Sequence, residues 1–394
     1  MTAAATAPRS GSWKGDLAGA FADGAVLFPL LLALAWQTGA SAAVMLATTG
    51  AAYLATGWLF RLPIPVQPLK SLSIMAIAAG ASATELQVAG ILLGAIYFFI
   101  SVINVDRLAG RIPLVLVHGF QVGLGIMLIL AALRMLGAEP AELALVLAAG
   151  VLLVLVTRQT GWPVLGAVAA GGLVWGLWHA VPAMAPAVDA AFRPTVVALM
   201  VLPQIALTLT NSVLGTQRAA RDYYGQRAER VTPRRLLQSL GIGNLVAGSL
   251  GGMPYCHGSG GVTAHYRGGS RTWRSNAIIG VSLLILSGAL VLGGGGLPEY
   301  PMVLQALLIG VIGWFHFKLA APSWQHRHGR WILLIMGAAA LGFSSMLAVL
   351  AAGVVAIGLA RWAGLRFPAP GPGDAASQEP GPVPDIHSTP TAKP

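Results

Sequence analysis

The chain reads as a succession of apolar runs, each about as long as a bilayer is thick, separated by short polar breaks. A helical span needs about 20 mainly apolar residues. Such runs fall near 17–36, 40–60, 66–83, 87–105, 112–133, 142–157 and 162–181. A second series follows near 194–214, 236–251, 257–267, 275–295, 301–318, 331–345 and 347–362. The pattern predicts an all-α integral membrane protein of about fourteen transmembrane segments, several short or broken. From about Pro368 the sequence turns to Pro, Gly, Ala, Ser and Asp, a tail that cannot bury apolar surface and is expected to be disordered.

Composition agrees with the pattern. Hydrophobic residues make up 56% of the 394 and charged residues 9%, against about 25% charged in an ordinary soluble domain. Such a chain cannot cover a water-facing surface, which argues against a soluble enzyme, a nucleic-acid-binding module or a disordered scaffold. The formal net charge of +11 then belongs to cytoplasmic loops. With the N-terminus inside and the sides alternating, nearly every Lys and Arg falls on an inside segment. Arg134 and Arg193 are the outside exceptions, and Lys70 falls within a span. Both termini are therefore expected in the cytoplasm, and the protein in the plasma (inner) membrane. Met1 to Ser12 lacks a cleavable signal pattern, so the first span is expected to act as an uncleaved one. The single cysteine, Cys256, allows no internal disulfide, and no spacing marks a metal or cofactor site.

Prolines align between the two halves: Leu27-Phe28-Pro29 with Val201-Leu202-Pro203, Ile64-Pro65 with Met253-Pro254, and Ile112-Pro113 with Tyr300-Pro301. The spacing differs at one place, where an Arg-rich loop around 218–235 reads as an insertion. Seven spans per half is an odd number, so the halves would run oppositely through the membrane, as in many secondary transporters. The organisation expected is an N-terminal segment 1–15, repeats 16–185 and 186–366, and a tail 367–394 without a further soluble domain.

Each half is interrupted at a matching place, in the third and tenth spans: RLPIPVQPLKS at 61–71 and GGMPYCHGSGG at 251–261. Both start a short helix after Pro- or Gly-rich chain that cannot continue a helix from before. Irregular backbone at membrane depth is tolerated only where protein or a polar cavity satisfies it. Two helices that begin at the midplane would aim N–H groups and about half a positive charge each at one cavity, which is an anion site.

Lys70 sits in the opening turn of the first interrupted helix, where it meets an oxyanion, snorkels to an interface, or neutralises a carboxylate. Gln67 and Ser71 beside it donate to that anion or satisfy broken backbone. Gln204, Thr208 and Asn211 recur at helical spacing on the eighth span and line either a cavity or a helix contact. Gly258, Ser259 and Gly260 offer N–H groups, a hydroxyl and close approach. His257 is a donor or a packed polar side chain, and Cys256 a small buried residue. Asp23, within the first span, is the candidate for proton coupling, or a structural partner of Lys70 or a helix end. Glu85, Asp106 and Glu299 lie near loops, while His118 and His179 read as packed or interfacial.

The stretches PIPVQPLKSLSIMAIA, MPYCHGSGGVTAHYRGGSRT and LPQIALTLTNSV, with ADGAVLFPLLLAL in the first span, resemble the molybdate-transporter branch of the sulfate-permease superfamily. The resemblance implies a seven-plus-seven fold with core and gate domains. It places substrate between the third and tenth spans, bordered by the first and eighth. It further implies uptake of molybdate, with tungstate and sulfate as near relatives, absence of a STAS domain, and a homodimer that no residue of this chain supports directly. A sulfate transporter or anion exchanger of the same fold stays open, as does an anion channel from another class. Nucleobase transporters share the fold but resemble a pattern with glutamates on the eighth and tenth spans, and this chain has none there. No nucleophile–base spacing marks an enzyme.

Overall fold

A computed structural model of the chain describes residues 12–103, 113–136, 140–160, 162–179, 191–293 and 301–365. The expected tail, most of the N-terminal segment, Asp106 and Glu299 lie outside them. The first half holds α1 (Trp13–Ala20), α2 (Gly24–Thr38), α3 (Ala42–Phe60), β1 (Gln67–Pro68), α4 (Lys70–Ala78), α5 (Ala83–Ile100), α6 (Leu114–Met135), α7 (Pro140–Thr160) and α8 (Trp162–Trp178). In the second half α9 (Pro194–Leu207) runs through π-helical turns (Thr208–Gly215) into α10 (Thr216–Tyr224), and a 3-10 turn follows (Gly225–Arg230). Then come α11 (Pro233–Ser249), β2 (Tyr255–Cys256), α12 (Ser259–Arg267), α13 (Arg274–Leu292), α14 (Met302–Leu319), α15 (Ala321–Gln325), α16 (Arg327–Phe343) and α17 (Met346–Trp362).

Among the described residues seven stretches are long and apolar enough to cross a membrane: Trp13–Thr38, Ala42–Phe60, Ala83–Ile100, Leu114–Met135, Pro194–Arg230, Arg274–Leu292 and Met302–Leu319. The other expected spans fall on α4, α7, α8, α11, α12, α16 and α17. Local chemistry sets the boundaries. Ser41 caps α3, accepting from Val44 N, and Ser82 with Glu85 forms a reciprocal capping box on α5. The first run is one apolar stretch in sequence, yet its helix breaks over Phe21–Asp23.

Three differences from the sequence reading have physical causes. The chain is not purely α-helical, because the two interrupted spans begin as short extended pieces that pair antiparallel, Gln67 opposite Cys256 and Pro68 opposite Tyr255. Pro63, Pro65 and Pro68 on one side, and Gly252 and Pro254 on the other, keep these pieces out of helix. Asn244 of α11 holds the second piece, donating to Tyr255 O at 2.9 Å and accepting from Tyr255 N at 2.8 Å. The Arg-rich stretch expected as a loop is helical. Ala220, Tyr224 and Ala228 recur every four residues among the arginines and bury against Phe60, Leu62, Ile64, Leu236 and Val262. The third difference is the broken first span itself.

The long helices cross in pairs: α3 against α13, α5 against α11, α6 against α14. Contact between α3 and α13 needs bare backbone. A Cβ on Gly50 would lie 2.7 Å from Gly280 O, and one on Gly280 would lie 2.9 Å from Gly50 O. Large apolar side chains such as Phe99, Leu152, Ile285 and Phe343 stay exposed around the outside, as lipid-facing surface requires.

Candidate functional site

The paired extended pieces bring the starts of α4 and α12 to one place. Leu69 and Gly258 are their N-cap residues, and neither has an oxygen to cap with. Another helix meets part of that need. Gln204 Oε1 accepts from Leu72 N at 3.1 Å, while its Nε2 donates to Thr208 Oγ1 at 3.0 Å, and Thr208 meets Tyr97 OH at 2.7 Å. The π-helical turns begin at Thr208 and displace the helical register just where Asn211 must face α12. Asn211 Oδ1 accepts from Ser259 Oγ at 2.8 Å.

Lys70 opens α4 with its side chain inside the protein, 5% exposed. Its Nζ donates to Gln67 Oε1 at 2.8 Å. Among the described residues no carboxylate lies within ion-pair distance of it. A Cβ at Gly258 would stand 2.6 Å from Gln67 Oε1, 3.1 Å from Lys70 Nζ and 3.5 Å from Asn211 Nδ2. Only glycine lets these four groups converge. Ser71 Oγ is buried and has no hydrogen-bond partner among the described residues. Gly260 is exposed, with open space where a side chain would begin. The assembled site is a lysine with a neutral partner, two helix N-termini and several amide and hydroxyl donors, open on the Gly260 side. Such a set of a buried cation and helix N-termini attracts an anion.

The sequence candidates therefore divide. Gln67, Lys70, Asn211, Gly258 and Ser259 come together, with Gln204, Thr208 and Ser71 immediately behind them at the start of α4. His257 has both ring nitrogens engaged elsewhere, Nδ1 with Pro65 O at 2.8 Å and Nε2 with Ser239 Oγ at 3.0 Å. Its carbonyl accepts from Thr216 Oγ1. Cys256 is buried, its Sγ 3.8 Å from Pro68 O.

Asp23 stands at the break between α1 and α2, fully buried. Tyr53 OH donates to its Oδ2 at 3.2 Å, and His265 Nε2 lies 3.6 Å from the same oxygen. His265 Nδ1 is 2.8 Å from Gly19 O, an acceptor only, so that nitrogen carries a hydrogen. Its Nε2 then points toward the Asp23 carboxylate from 3.6 Å, just beyond hydrogen-bond distance. Sequence reasoning missed His265, whose only signal was a histidine in the opened motif. His316, also unremarked in the sequence, is buried and pairs with Gln121 at 2.5 Å.

Elsewhere His118 is buried against Ser323 at 2.6 Å, and His179 stacks on Trp175 with centroids 4.2 Å apart. Glu85 forms a two-point ion pair with Arg193, at 2.9 and 2.8 Å, and Arg193 also donates to Gly80 O at 2.7 Å. This ties the start of α9 to the loop after α4. On the other half, Asp16 of α1 accepts from Arg271 N at 2.7 Å and Thr272 N at 3.0 Å.

Comparison with known proteins adds to this geometry. A family model described as "Molybdate transporter of MFS superfamily" matches residues 15–128 and 196–312. The chain is 25% identical to molybdate transporter 1 of Arabidopsis thaliana over 397 residues, covering 85% of this chain and 86% of the relative. Its fold is similar to that of the transmembrane domain of a cyanobacterial bicarbonate transporter, BicA, with a TM-score of 0.60 and 20% identity over 86% of this chain and 97% of that one. It is also similar to murine Solute Carrier 26 family member A9, an anion transporter in the inward-facing state. There the TM-score is 0.62 and the identity 16%, over 90% of this chain and 69% of that one.

Proposed function

We propose, on the premise that this chain belongs to the molybdate transporter family whose model it matches, that it is a secondary active transporter for a tetrahedral oxyanion, molybdate first, with tungstate or sulfate as competitors. One observation carries the reading: Lys70, buried and without a carboxylate, at the meeting point of two helix N-termini. A charge inside a membrane protein costs from about 3 kcal/mol upward unless something compensates it. Gln67 supplies a dipole and not a charge, so an anion is the compensating partner. A tetrahedral dianion fits because acceptor oxygens point in every direction, toward the N–H groups of α4 and α12, the Lys70 ammonium, and the donors of Asn211 and Ser71.

The same reading includes fourteen spans arranged as two inverted repeats, 16–185 and 186–366, with Gln204, Thr208 and Gly260 completing the binding surface. Exchange of contacts between the halves supports it. Under a seven-span repeat the second and eleventh spans exchange with the ninth and fourth, and α3 crosses α13 as α11 crosses α5. The first and eleventh spans likewise exchange with the eighth and fourth, and α1 meets α13 as α9 meets α5. Transport then proceeds by alternating access, the first to fourth and eighth to eleventh spans moving as a core against the rest. Asp23 with His265 carries the coupled proton, and a homodimer in the plasma membrane with cytoplasmic termini completes the proposal.

The test is equilibrium binding to the purified protein in detergent, titrating molybdate, tungstate, sulfate and uracil side by side. Saturable molybdate binding with weaker sulfate competition is the expected outcome. Sulfate binding alone would make it a sulfate carrier of this fold, and binding of uracil or of no oxyanion would overturn the reading. Non-saturating conductance in liposomes would replace the transporter with a channel.

A further inference from the structure

An open surface pocket lies away from the oxyanion site, at the junction of α3, the 3-10 turn and α11. Its volume is about 270 Å³ and it is lined by Trp58, Leu59, Arg61, Arg230 and Arg235. No carboxylate lines it, and none of its three guanidinium groups makes an ion pair among the described residues. The Arg61 guanidinium carbon lies 6.0 Å from the centroid of the Trp58 ring. Arg61 also ends α3 in a left-handed conformation, φ 56°, where glycine is at ease and an L side chain is not. That backbone strain accompanies a guanidinium that lines the pocket.

The pocket also touches the lipid-facing surface. Along α3, Ala51, Ala55 and Trp58 are exposed at successive helical turns, so Trp58, 66% exposed, ends a stripe that faces the membrane. Along α11, Ile242 and Val246 are 53% and 52% exposed, on the face that Arg235 heads one helix end away. Three cations thus sit where two apolar stripes run out, beside a tryptophan of the kind found at membrane interfaces.

We infer that this pocket binds the headgroup of an anionic phospholipid, its phosphate held by Arg61, Arg230 and Arg235, its glycerol end against Trp58, and its acyl chains along the exposed stripes of α3 and α11. The ring of arginines selects the negative headgroup, and the stripes distinguish a lipid from free phosphate. Because Arg61 closes the connection to β1, and β1 carries Gln67 and the start of α4, a lipid held here braces the segment that leads into the oxyanion site.

The test uses the full chain, delipidated in detergent, by native mass spectrometry with phosphatidylglycerol, phosphatidylcholine and inorganic phosphate in separate arms. One phosphatidylglycerol should stay bound where phosphatidylcholine does not, and excess inorganic phosphate should fail to displace it. The combined change Arg61→Gln, Arg230→Gln and Arg235→Gln should weaken that binding about tenfold or more, leaving the lipid-free melting temperature and molybdate binding in place. Should the triple variant fold poorly, Arg235→Gln alone, at an exposed position, should weaken it about fivefold. Equal retention of phosphatidylcholine, displacement by inorganic phosphate, or unchanged lipid binding in both variants would overturn the assignment.

Discussion

At the scale of single residues the candidate site is a balance of charge and space. Lys70 has one neutral hydrogen-bond partner and no carboxylate within ion-pair distance among the described residues. Lys70→Ala should raise the molybdate dissociation constant about tenfold to a hundredfold, the worth of a charge-assisted hydrogen bond, while the protein still inserts and purifies. Unchanged affinity by calorimetry would remove Lys70 from the site. Gly258→Ala tests space in place of charge. Its methyl would stand 2.6 Å from Gln67 Oε1, so Gln67 must move and release Lys70, and molybdate binding should fall with little change in melting temperature. Lys70 was legible in the sequence because a charge in an apolar run is conspicuous. His265 was not, because its meaning depends on Asp23, which reaches it only across the fold.

Among the elements, the pairing of β1 with β2 sets the separation of the two helix starts, and Asn244 fixes β2 from behind. Asn244→Ala would leave both polar backbone groups of the buried Tyr255 without this partner. It should cost about 2 kcal/mol or more, seen as a lower unfolding midpoint in a denaturant titration, with weakened molybdate binding alongside. Loss of neither would mean that the pairing holds without α11. The interruptions themselves were readable from Pro and Gly, since both act on their own backbone and need no partner. Their antiparallel register was not, because two residues per strand leave no periodic signal. The helical nature of α10 was obscured for another reason: its arginines dominate its composition, while the apolar positions every fourth residue determine its packing.

For the whole molecule, the proposed proton coupling is the property that no single element would hold. The Asp23–His265 pair is fully buried, with Tyr53 from α3 and Lys70 from α4 the titratable or charged groups acting on Asp23. Asp23→Asn removes the carboxylate proposed to carry the coupled proton. It should leave molybdate binding in detergent nearly intact while abolishing proton entry that accompanies uptake, measured with a pH dye inside proteoliposomes. Persistence of molybdate-dependent acidification in that variant would exclude the pair as the carrier. The ties at the two ends, Glu85 with Arg193 and Asp16 with the backbone of Arg271 and Thr272, each fasten the start of one half to a loop of the other or its own.

The sequence by itself determined that this is a helical membrane protein, where its helices are interrupted, and that an anion suits the interruptions. Those properties are local: hydropathy over one span, the missing donor of proline, a charge set among apolar neighbours. The likeness of its motifs to a transporter family was equally a matter of short contiguous stretches. Tertiary structure alone decided which polar groups meet. It brought Gln67 and Lys70 to Gly258 and Asn211, turned His257 toward Pro65 and Ser239, and set His265 beside Asp23. Such contacts join residues from opposite halves of the chain, and only the crossing of helices, set by side-chain volume and close glycine approach, selects among the pairings that the same sequence would otherwise allow.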